Sequence, residues 1–257
     1  MLYLYGIASG REPPEFLPRG FEDRTPAIAP YDGFAAITGW LEKGPPPATE
    51  AHLRKHFRVL EAFMASHTVL PARFGSTFAG PAELTAHLVL VRDTLAGDLQ
   101  QLHGQIELGV RAAWLTAAAS ASHASAAFFA GTGPGARYLA EMRAKAAYRL
   151  DRQQAAQDLA GIVSAPLALH ATQVEWRAIP AASGPAGVSM AFLLPREQLD
   201  AFRKALAALR IAWPSLDILC TGPWPPYSFV SGFDRTASRP NNLGDLFDAE
   251  STNRAVS

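Results

Sequence analysis

The chain has 257 residues, and its 23 basic and 23 acidic side chains give a formal net charge of zero. A balanced charge argues against a nucleic-acid binder, because such proteins gain affinity by neutralising phosphates. With 49% hydrophobic and 18% charged residues, the composition predicts packed globular domains rather than disorder. The single cysteine, Cys220, excludes an internal disulfide and a cysteine-rich metal site.

The N-terminal residues lack the basic and apolar regions of an export signal. No apolar run approaches the ~20 residues that cross a bilayer. We therefore expect a cytoplasmic protein with neither a membrane nor a nucleic acid as partner.

The first third of the chain predicts three strands and a helix. The apolar run 2–8 is typical of a buried strand, and strands at 27–29 and 33–40 flank a turn signal. A helix is expected to begin at Thr49, after a glycine- and proline-rich break. Its apolar stripe consists of Leu53, Phe57, Leu60 and Met64.

The next segment predicts a strand and one long helix. The strand is expected from Arg73 to Phe78, and the helix begins at Pro81. Leucine and valine recur at helical spacing as far as Leu102, so a single uninterrupted helix is predicted. Gly104 ends it.

From Gly104 onward the pattern changes to the alternation of a half-buried strand. The order strand, helix, strand, strand, helix, strand follows, which is the ferredoxin-like βαββαβ pattern. The predicted elements are a strand at 106–114, a helix at 136–162, strands at 167–179 and 188–194, a helix from 195, and a strand at 216–221. The inward stripe of the first of these helices is predicted to be Leu139, Met142, Ala146 and Leu150.

The fold class is therefore predicted to be α+β with two domains. Residues 1–103 are expected to form an N-terminal α+β domain and residues 104–230 a ferredoxin-like C-terminal domain. Residues 231–257 are polar and aperiodic, which predicts a tail. An Ala/Ser-rich stretch at 116–130 has no clear period.

The segment 221–229, with three prolines, three aromatics and a glycine after an apolar strand, is the most distinctive in the chain. Proline restricts both its own backbone and that of the residue before it, which predicts a rigid hook. Trp224, Tyr227 and Phe229 either cover the core of the C-terminal domain or contact a partner. We expect Trp224 to be the covering residue and Tyr227 to be the more exposed.

A second notable segment surrounds Arg73. Its guanidinium either pairs within the domain or faces a partner, and Gly75 is expected to allow a close backbone approach or a bulge.

Known catalytic and cofactor motifs are matched poorly. The run 131–136 imitates a dinucleotide fingerprint, but Pro134 removes a donor and no β-branched strand precedes it. His52 and His56 share a helix face without a third ligand, so a solvated face is expected for them. We predict no cofactor, no metal and no enzymatic activity.

Five blocks of the sequence resemble the gas vesicle protein F/L family. The specific ones are TGPWPPYSF at 221–229 and LPARFGSTF at 70–78. The weaker ones are YLYGI at 3–7, GQIELGVR at 104–111 and GPGARYL at 133–139. The residues proposed as family signature or partner contacts are Arg73, Phe74, Gly75, Pro223, Trp224, Pro225, Pro226, Tyr227 and Phe229.

The resemblance implies a minor gas vesicle protein that is required for vesicle assembly. Its implied partners are the main shell protein and other vesicle accessory proteins, and its implied location is the gas vesicle. Binding the hydrophobic shell protein and limiting its aggregation requires apolar contact surface rather than reactive groups. The alternative is a regulatory module that binds a small ligand through its ferredoxin-like domain.

Overall fold

A computed structural model describes residues 1–115, 134–179 and 187–232. Two antiparallel sheets and five α-helices make up the described part of the chain, which confirms the α+β class. The Ala/Ser-rich stretch at 116–130, the glycines at 131 and 133, residues 180–186 and the chain from 233 onward lie outside the described residues.

The first sheet contains five strands in the order β2-β3-β1-β4, and β5 also pairs with β1. All of its pairings are antiparallel. The strands are β1 (Leu2–Ala8), β2 (Ala27–Tyr31), β3 (Phe34–Trp40), β4 (Val69–Pro71) and β5 (Thr77–Phe78). Every residue of β1 is buried, as its unbroken apolar run predicts.

Two local features set the register of this sheet. The β2–β3 hairpin turns at Asp32 and Gly33, both with positive φ, and pairs Tyr31 with Phe34. A Cβ at Gly6 in β1 would lie 2.6 Å from the carbonyl oxygen of Leu70 in β4, so the two strands approach more closely there than a side chain permits.

Three helices belong with this sheet: α1 (Glu50–Met64), α2 (Pro81–Leu90) and α3 (Arg92–Gln101). Thr49 caps α1 by accepting a hydrogen bond from the backbone N–H of His52. The prediction of one helix from Pro81 to Leu102 is wrong, because Val91 leaves helical geometry at φ −105° and ψ 10°. A periodic apolar stripe does not reveal such a break when the buried leucines keep their spacing across it.

The predicted strand from Arg73 to Phe78 is also largely wrong. Strand structure occurs before it, in β4, and only at its end, in β5. Between them the chain turns, and the backbone N–H of Ser76 donates to the carbonyl of Arg73 at 3.1 Å. Gly75 has φ +91° with no atom near a hypothetical Cβ, so the glycine is needed for its backbone conformation and not for a close approach.

The second sheet has four strands in the order β7-β8-β6-β9. They are β6 (Gln105–Trp114), β7 (Gln173–Ala178), β8 (Gly187–Pro195) and β9 (Leu216–Trp224), with helices α4 (Pro134–Leu167) and α5 (Leu199–Ala212). The succession β6-α4-β7-β8-α5-β9 is the predicted βαββαβ order. Phe192 of β8 and Phe202 of α5 meet edge to face at 5.1 Å in its core.

Helix α4 departs from its predicted packing. Met142 and Leu150, which the spacing placed on an inward stripe, are 40% and 67% exposed. Among the α4 side chains that the structure describes, the buried ones lie in the second half of the helix and include Ala156, Leu159 and Val163. Glu141 and Lys145, four residues apart on α4, form an ion pair at 2.7 Å. Because α4 is longer than the sheet on which it packs, apolar residues in its N-terminal half, such as Met142 and Leu150, have no core to enter.

The described chain forms two compact units. One comprises Met1–Glu107 together with the residues from Gly222 onward, and the other is Leu108–Thr221. The predicted domains 1–103 and 104–230 stay a prediction, and the structure places the segment after Thr221 with the first unit. No helix among the described residues combines the length and apolarity that crossing a membrane requires.

We propose that the two units are also separate in stability. Phe202→Ala should cost about 3–5 kcal/mol, because Phe202 is fully buried, and should speed amide exchange in β8 far more than in β1. Phe63→Ala, at an equally buried position of α1, is the matched variant and should do the reverse. Equal acceleration across both units in either variant would contradict the division.

Candidate functional site: the C-terminal strap

The candidate site is centred on residues 222–232, which we call the C-terminal strap. The strap begins in the last three residues of β9, and its Gly222–Pro223 peptide bond is cis. Two turns then compact it, since the backbone N–H of Tyr227 donates to the carbonyl of Pro225 and that of Phe229 to Pro226. The hook predicted from the proline pattern is therefore present.

The indole of Trp224 packs against helix α1. Its ring meets Phe57 edge to face, with centroids 4.6 Å apart and planes inclined by 73°. Both residues are half-buried. Trp224 was expected to cover the core of the C-terminal domain, and that expectation is wrong, because its aromatic partner belongs to the first unit.

A chain of hydrogen bonds connects Tyr227 to the core of the first unit. The Tyr227 hydroxyl lies 3.0 Å from Nε2 of His56, and Nδ1 of His56 lies 2.8 Å from the Tyr3 hydroxyl. The Tyr3 oxygen also accepts the backbone N–H of Gly75 at 3.2 Å. Tyr227 is thus not the exposed aromatic that was expected, because its hydroxyl already has a buried partner.

Burial determines the protonation states of the side chains in this hydrogen-bond network. It lowers the pKa of His56 to about 3, while a hydrogen bond to the backbone of Ala72 opposes the shift. Burial likewise raises the pKa of Tyr3 and of Tyr227 well above their usual value. A neutral imidazole has one N–H and one lone pair, so it can donate to one tyrosine and accept from the other. An imidazolium would leave one tyrosine O–H without its acceptor.

Aromatic rings surround the imidazole. Tyr5 stacks on His56 with centroids 5.5 Å apart, and Phe74 meets it edge to face at 5.9 Å. Phe21 lies against Tyr5 and donates its backbone N–H to the Tyr5 hydroxyl at 2.9 Å. Burial raises the pKa of Tyr5 to about 12. We call Tyr3, Tyr5, Phe21, His56 and Phe74 the aromatic cluster.

Two carboxylates hold the rest of the strap. Glu107, at the start of β6, accepts the backbone N–H and the hydroxyl of Ser228, each at 2.8 Å. Asp98 of α3 accepts the N–H and hydroxyl of Ser231 at 2.8 and 2.7 Å. Both carboxylates are buried. Each exchanges part of its hydration for two donors from one serine, which is the condition under which a buried charge is tolerated.

The nine predicted contact residues therefore divide by burial. Pro225, Pro226 and Phe229 are buried, so they anchor the strap. The half-buried ones are Arg73, Phe74, Gly75, Pro223, Trp224 and Tyr227. Three separate blocks of sequence converge here, because the strap contacts His56, and His56 contacts Tyr3 and Phe74.

Sequence reasoning missed four of the residues that hold the strap: His56, Asp98, Glu107 and Ser231. The expectation of a solvated face for His56 is wrong, since it is 1% exposed. A signal existed for two of them. His56 lies between Leu53 and Leu60 on the apolar face of α1, and Asp98 lies between Leu95 and Leu102 on that of α3. A polar residue at an inward helical position indicates a buried partner.

The ionisable groups of this site are held by burial and by hydrogen bonds. Its ionisable centre is a neutral histidine between neutral tyrosines, and its carboxylates are occupied by serine donors. Among the described residues no group of three or more His, Cys, Asp or Glu side chains is placed to hold a metal ion. Burial raises the pKa of the Cys220 thiol, in keeping with an unreactive thiol.

Known proteins share this architecture and sequence. Over residues 1–231 the chain matches the family described as Gas vesicle synthesis protein GvpL/GvpF, and it belongs to that family. Gas vesicle protein F2 of Halobacterium salinarum is 26% identical, covering 89% of this chain and 91% of its own length. Gas vesicle protein F1 of the same organism is 24% identical, with 78% of each chain covered.

Solved structures confirm the fold. The crystal structure of gas vesicle protein GvpF from Microcystis aeruginosa superposes with a TM-score of 0.73 at 22% identity, covering 90% of this chain and 98% of that one. GvpF from Anabaena sp. PCC7120 gives a TM-score of 0.68 at 21% identity, covering 92% and 99%. The resemblance in the five sequence blocks is thereby confirmed as family membership.

The depressed pKa of His56 predicts a pH dependence of stability. The unfolded chain binds a proton at His56 below about pH 6.5, whereas the folded chain does so only near pH 3. In that window the unfolded state holds more protons, so stability falls as pH falls, by about 1.4 kcal/mol per unit. Between about pH 7 and about pH 5 the loss from His56 should reach about 2 kcal/mol.

We expect the free energy of unfolding of His56→Gln, measured with urea at both pH values, to lack the loss that the imidazole causes in the wild type. His52→Gln, one turn earlier on α1 and half-exposed, is the control. Its free energy of unfolding should change with pH as that of the wild type does. If the free energy of unfolding of His56→Gln depends on pH as that of the wild type does, the imidazole is not held neutral.

The carboxylate anchors make a second prediction. Asp98→Ala and Glu107→Ala should each lower the free energy of unfolding by about 1.5–3 kcal/mol, because each removes two hydrogen bonds between a buried carboxylate and a strap serine. A double-mutant cycle of Glu107→Gln with Ser228→Ala should give a coupling of about 1 kcal/mol or more. Asp93→Ala, an exposed carboxylate on α3, should change stability by less than about 0.5 kcal/mol. Additive effects in the cycle would contradict the anchoring role.

Proposed function

We propose that this chain acts in gas vesicle assembly by binding the main shell protein and limiting its aggregation during nucleation, without catalytic turnover. Membership of the gas vesicle synthesis family supports the vesicle-related role. The finer role is supported by one observation. The most specific signature of the chain forms a rigid, half-buried aromatic and proline surface on the first unit.

That surface consists of Phe57, Pro223 and Trp224. Aromatic side chains are enriched at the energetic centres of protein interfaces, where they add contact area and lose few rotamers. Beneath it the buried Pro225, Pro226 and Phe229 hold the strap. Because the surface is ordered before binding, association does not cost the entropy of fixing a loop.

The proposed partner follows from the chemistry of this surface. It has an apolar centre and no charge of its own, and such a surface favours an apolar partner segment over a phosphate or a charged peptide. A shell protein with exposed apolar surface before assembly is such a partner. Covering that surface transiently competes with self-association of the shell protein.

Trp224→Ala tests the proposal. The variant should stay folded with a loss of about 2 kcal/mol, less than the full cost of truncating a completely buried aromatic. Its affinity for the purified shell protein should fall by about tenfold or more. The measurements are thermal unfolding, a pull-down with the shell protein, and vesicle formation in cells that carry the variant.

Two matched variants make the result specific. Trp40→Ala removes a tryptophan that is 47% exposed on the same unit but outside the strap, and it should bind normally. Val59→Ala, fully buried on α1, should lower stability comparably and also keep binding. If Trp224→Ala binds the shell protein as the wild type does, the surface is not the contact. If the wild-type chain recovers no shell protein, the proposed role itself is wrong.

A further inference from the structure

Among the described residues, β7 is an edge strand of the second sheet that pairs with one neighbour, β8. It lies at the end of the order β7-β8-β6-β9, and five of its six residues are exposed. Natural edge strands are kept from pairing by proline, charged side chains, a bulge, short length or a covering helix or loop. In β7 the charged residues are Glu175 and Arg177, which have opposite signs. The edge strand β2 contains Pro30, whereas β7 reads QVEWRA and pairs with β8 in unbroken register.

The backbone groups that face the open edge can be identified. The N–H of Ile179 donates to the carbonyl of Gly187 at 2.8 Å, so this pair is a hydrogen-bonded one. In an antiparallel ladder the hydrogen-bonded residues alternate. Residues 173, 175 and 177 therefore bond toward β8, and the N–H and C=O groups of Val174, Trp176 and Ala178 point away from it.

We propose that β7 pairs antiparallel with β7 of a second copy of this chain, about a two-fold axis at Trp176. In that register Trp176 faces Trp176 of the other copy, and Val174 faces Ala178. These are the residues whose backbone groups point outward, and each such pair exchanges two hydrogen bonds. The inference goes beyond the proposed function and does not rest on it.

The side chains favour this register over the neighbouring ones. With the axis at Trp176, Glu175 of one copy lies opposite Arg177 of the other, and symmetry repeats the pair. Opposite charges directly across an antiparallel pair are stabilising and like charges are destabilising. An axis at Val174 would place Glu175 opposite Gln173, and one at Ala178 would place Arg177 opposite Ile179. Only the axis at Trp176 matches charge with charge.

The tryptophan adds contact area at the centre of the pairing. Trp176 is 44% exposed, and in the proposed dimer the two indoles are directly cross-strand neighbours, where aromatic pairs stabilise a sheet. A self-complementary strand specifies a second copy of the same chain, since an unrelated strand would not need matching charges at symmetric positions.

Charge reversal tests the dimer. Glu175→Arg alone and Arg177→Glu alone each place like charges opposite one another, and each should raise the dimer dissociation constant of the full chain by about tenfold. The double variant Glu175→Arg/Arg177→Glu restores opposite pairs in the same register. Its dissociation constant should return to within about threefold of the wild-type value. Sedimentation equilibrium over a wide range of protein concentration measures all four chains.

A control separates local pairing from net charge. Glu12→Arg makes the same change in net charge at an exposed position of the first unit, and it should leave the dissociation constant unchanged. Circular dichroism should show that every variant stays folded, because the reversed side chains are exposed. A monomeric wild-type chain at all concentrations overturns the proposal. So does a dimer that the single reversals leave intact or that the double variant fails to restore.

Discussion

The hydrogen bonds of one buried histidine are the constraint on which the strap depends. His56 joins Tyr3 in the first strand to Tyr227, which lies 171 residues further along the chain than His56. The imidazole performs this role only while it is neutral, because it must donate a hydrogen bond to one tyrosine and accept one from the other. Burial supplies that condition by lowering the pKa to about 3.

The carboxylates act on the same strap by a different physical route. Glu107 and Asp98 are buried carboxyl groups, and each accepts an N–H and an O–H from a single serine. The hydrogen bonds of neutral His56 orient the Tyr227 side chain, and the hydrogen bonds to the two carboxyl groups are the stronger ones. Together they position Trp224 against Phe57 without requiring the indole to be fully buried.

The strap contains both buried and partly accessible residues, and the binding role that we propose for it uses this division. Pro225, Pro226 and Phe229 are buried and set the path of the backbone, while Pro223 and Trp224 remain partly accessible. In the second unit, the self-pairing that we propose for β7 rests on the backbone hydrogen bonds of its edge and on the charges of Glu175 and Arg177. Family membership explains why the chain has this fold, and its own residues indicate which surfaces it can use.

Much of the fold follows from the sequence, because local patterns report on local structure. The apolar run 2–8, the Thr49 cap and the alternation after Gly104 each predicted an element that the structure contains. The exact blocks at 70–78 and 221–229 were enough to recognise the family. The turn at Gly75 and the break at Val91 were not predicted, since neither alters the spacing of the apolar residues around it.

Only the tertiary structure determined what the signature residues contact. The sequence by itself determined that residues 221–229 form a rigid, aromatic-rich hook, because proline restricts the backbone wherever it stands. It did not determine that the hook meets α1, or that Ser228 and Ser231 meet Glu107 and Asp98, since those partners are distant along the chain. A hydrogen bond between residues far apart leaves no periodic trace, and only an inward-facing polar residue such as His56 or Asp98 hints at it.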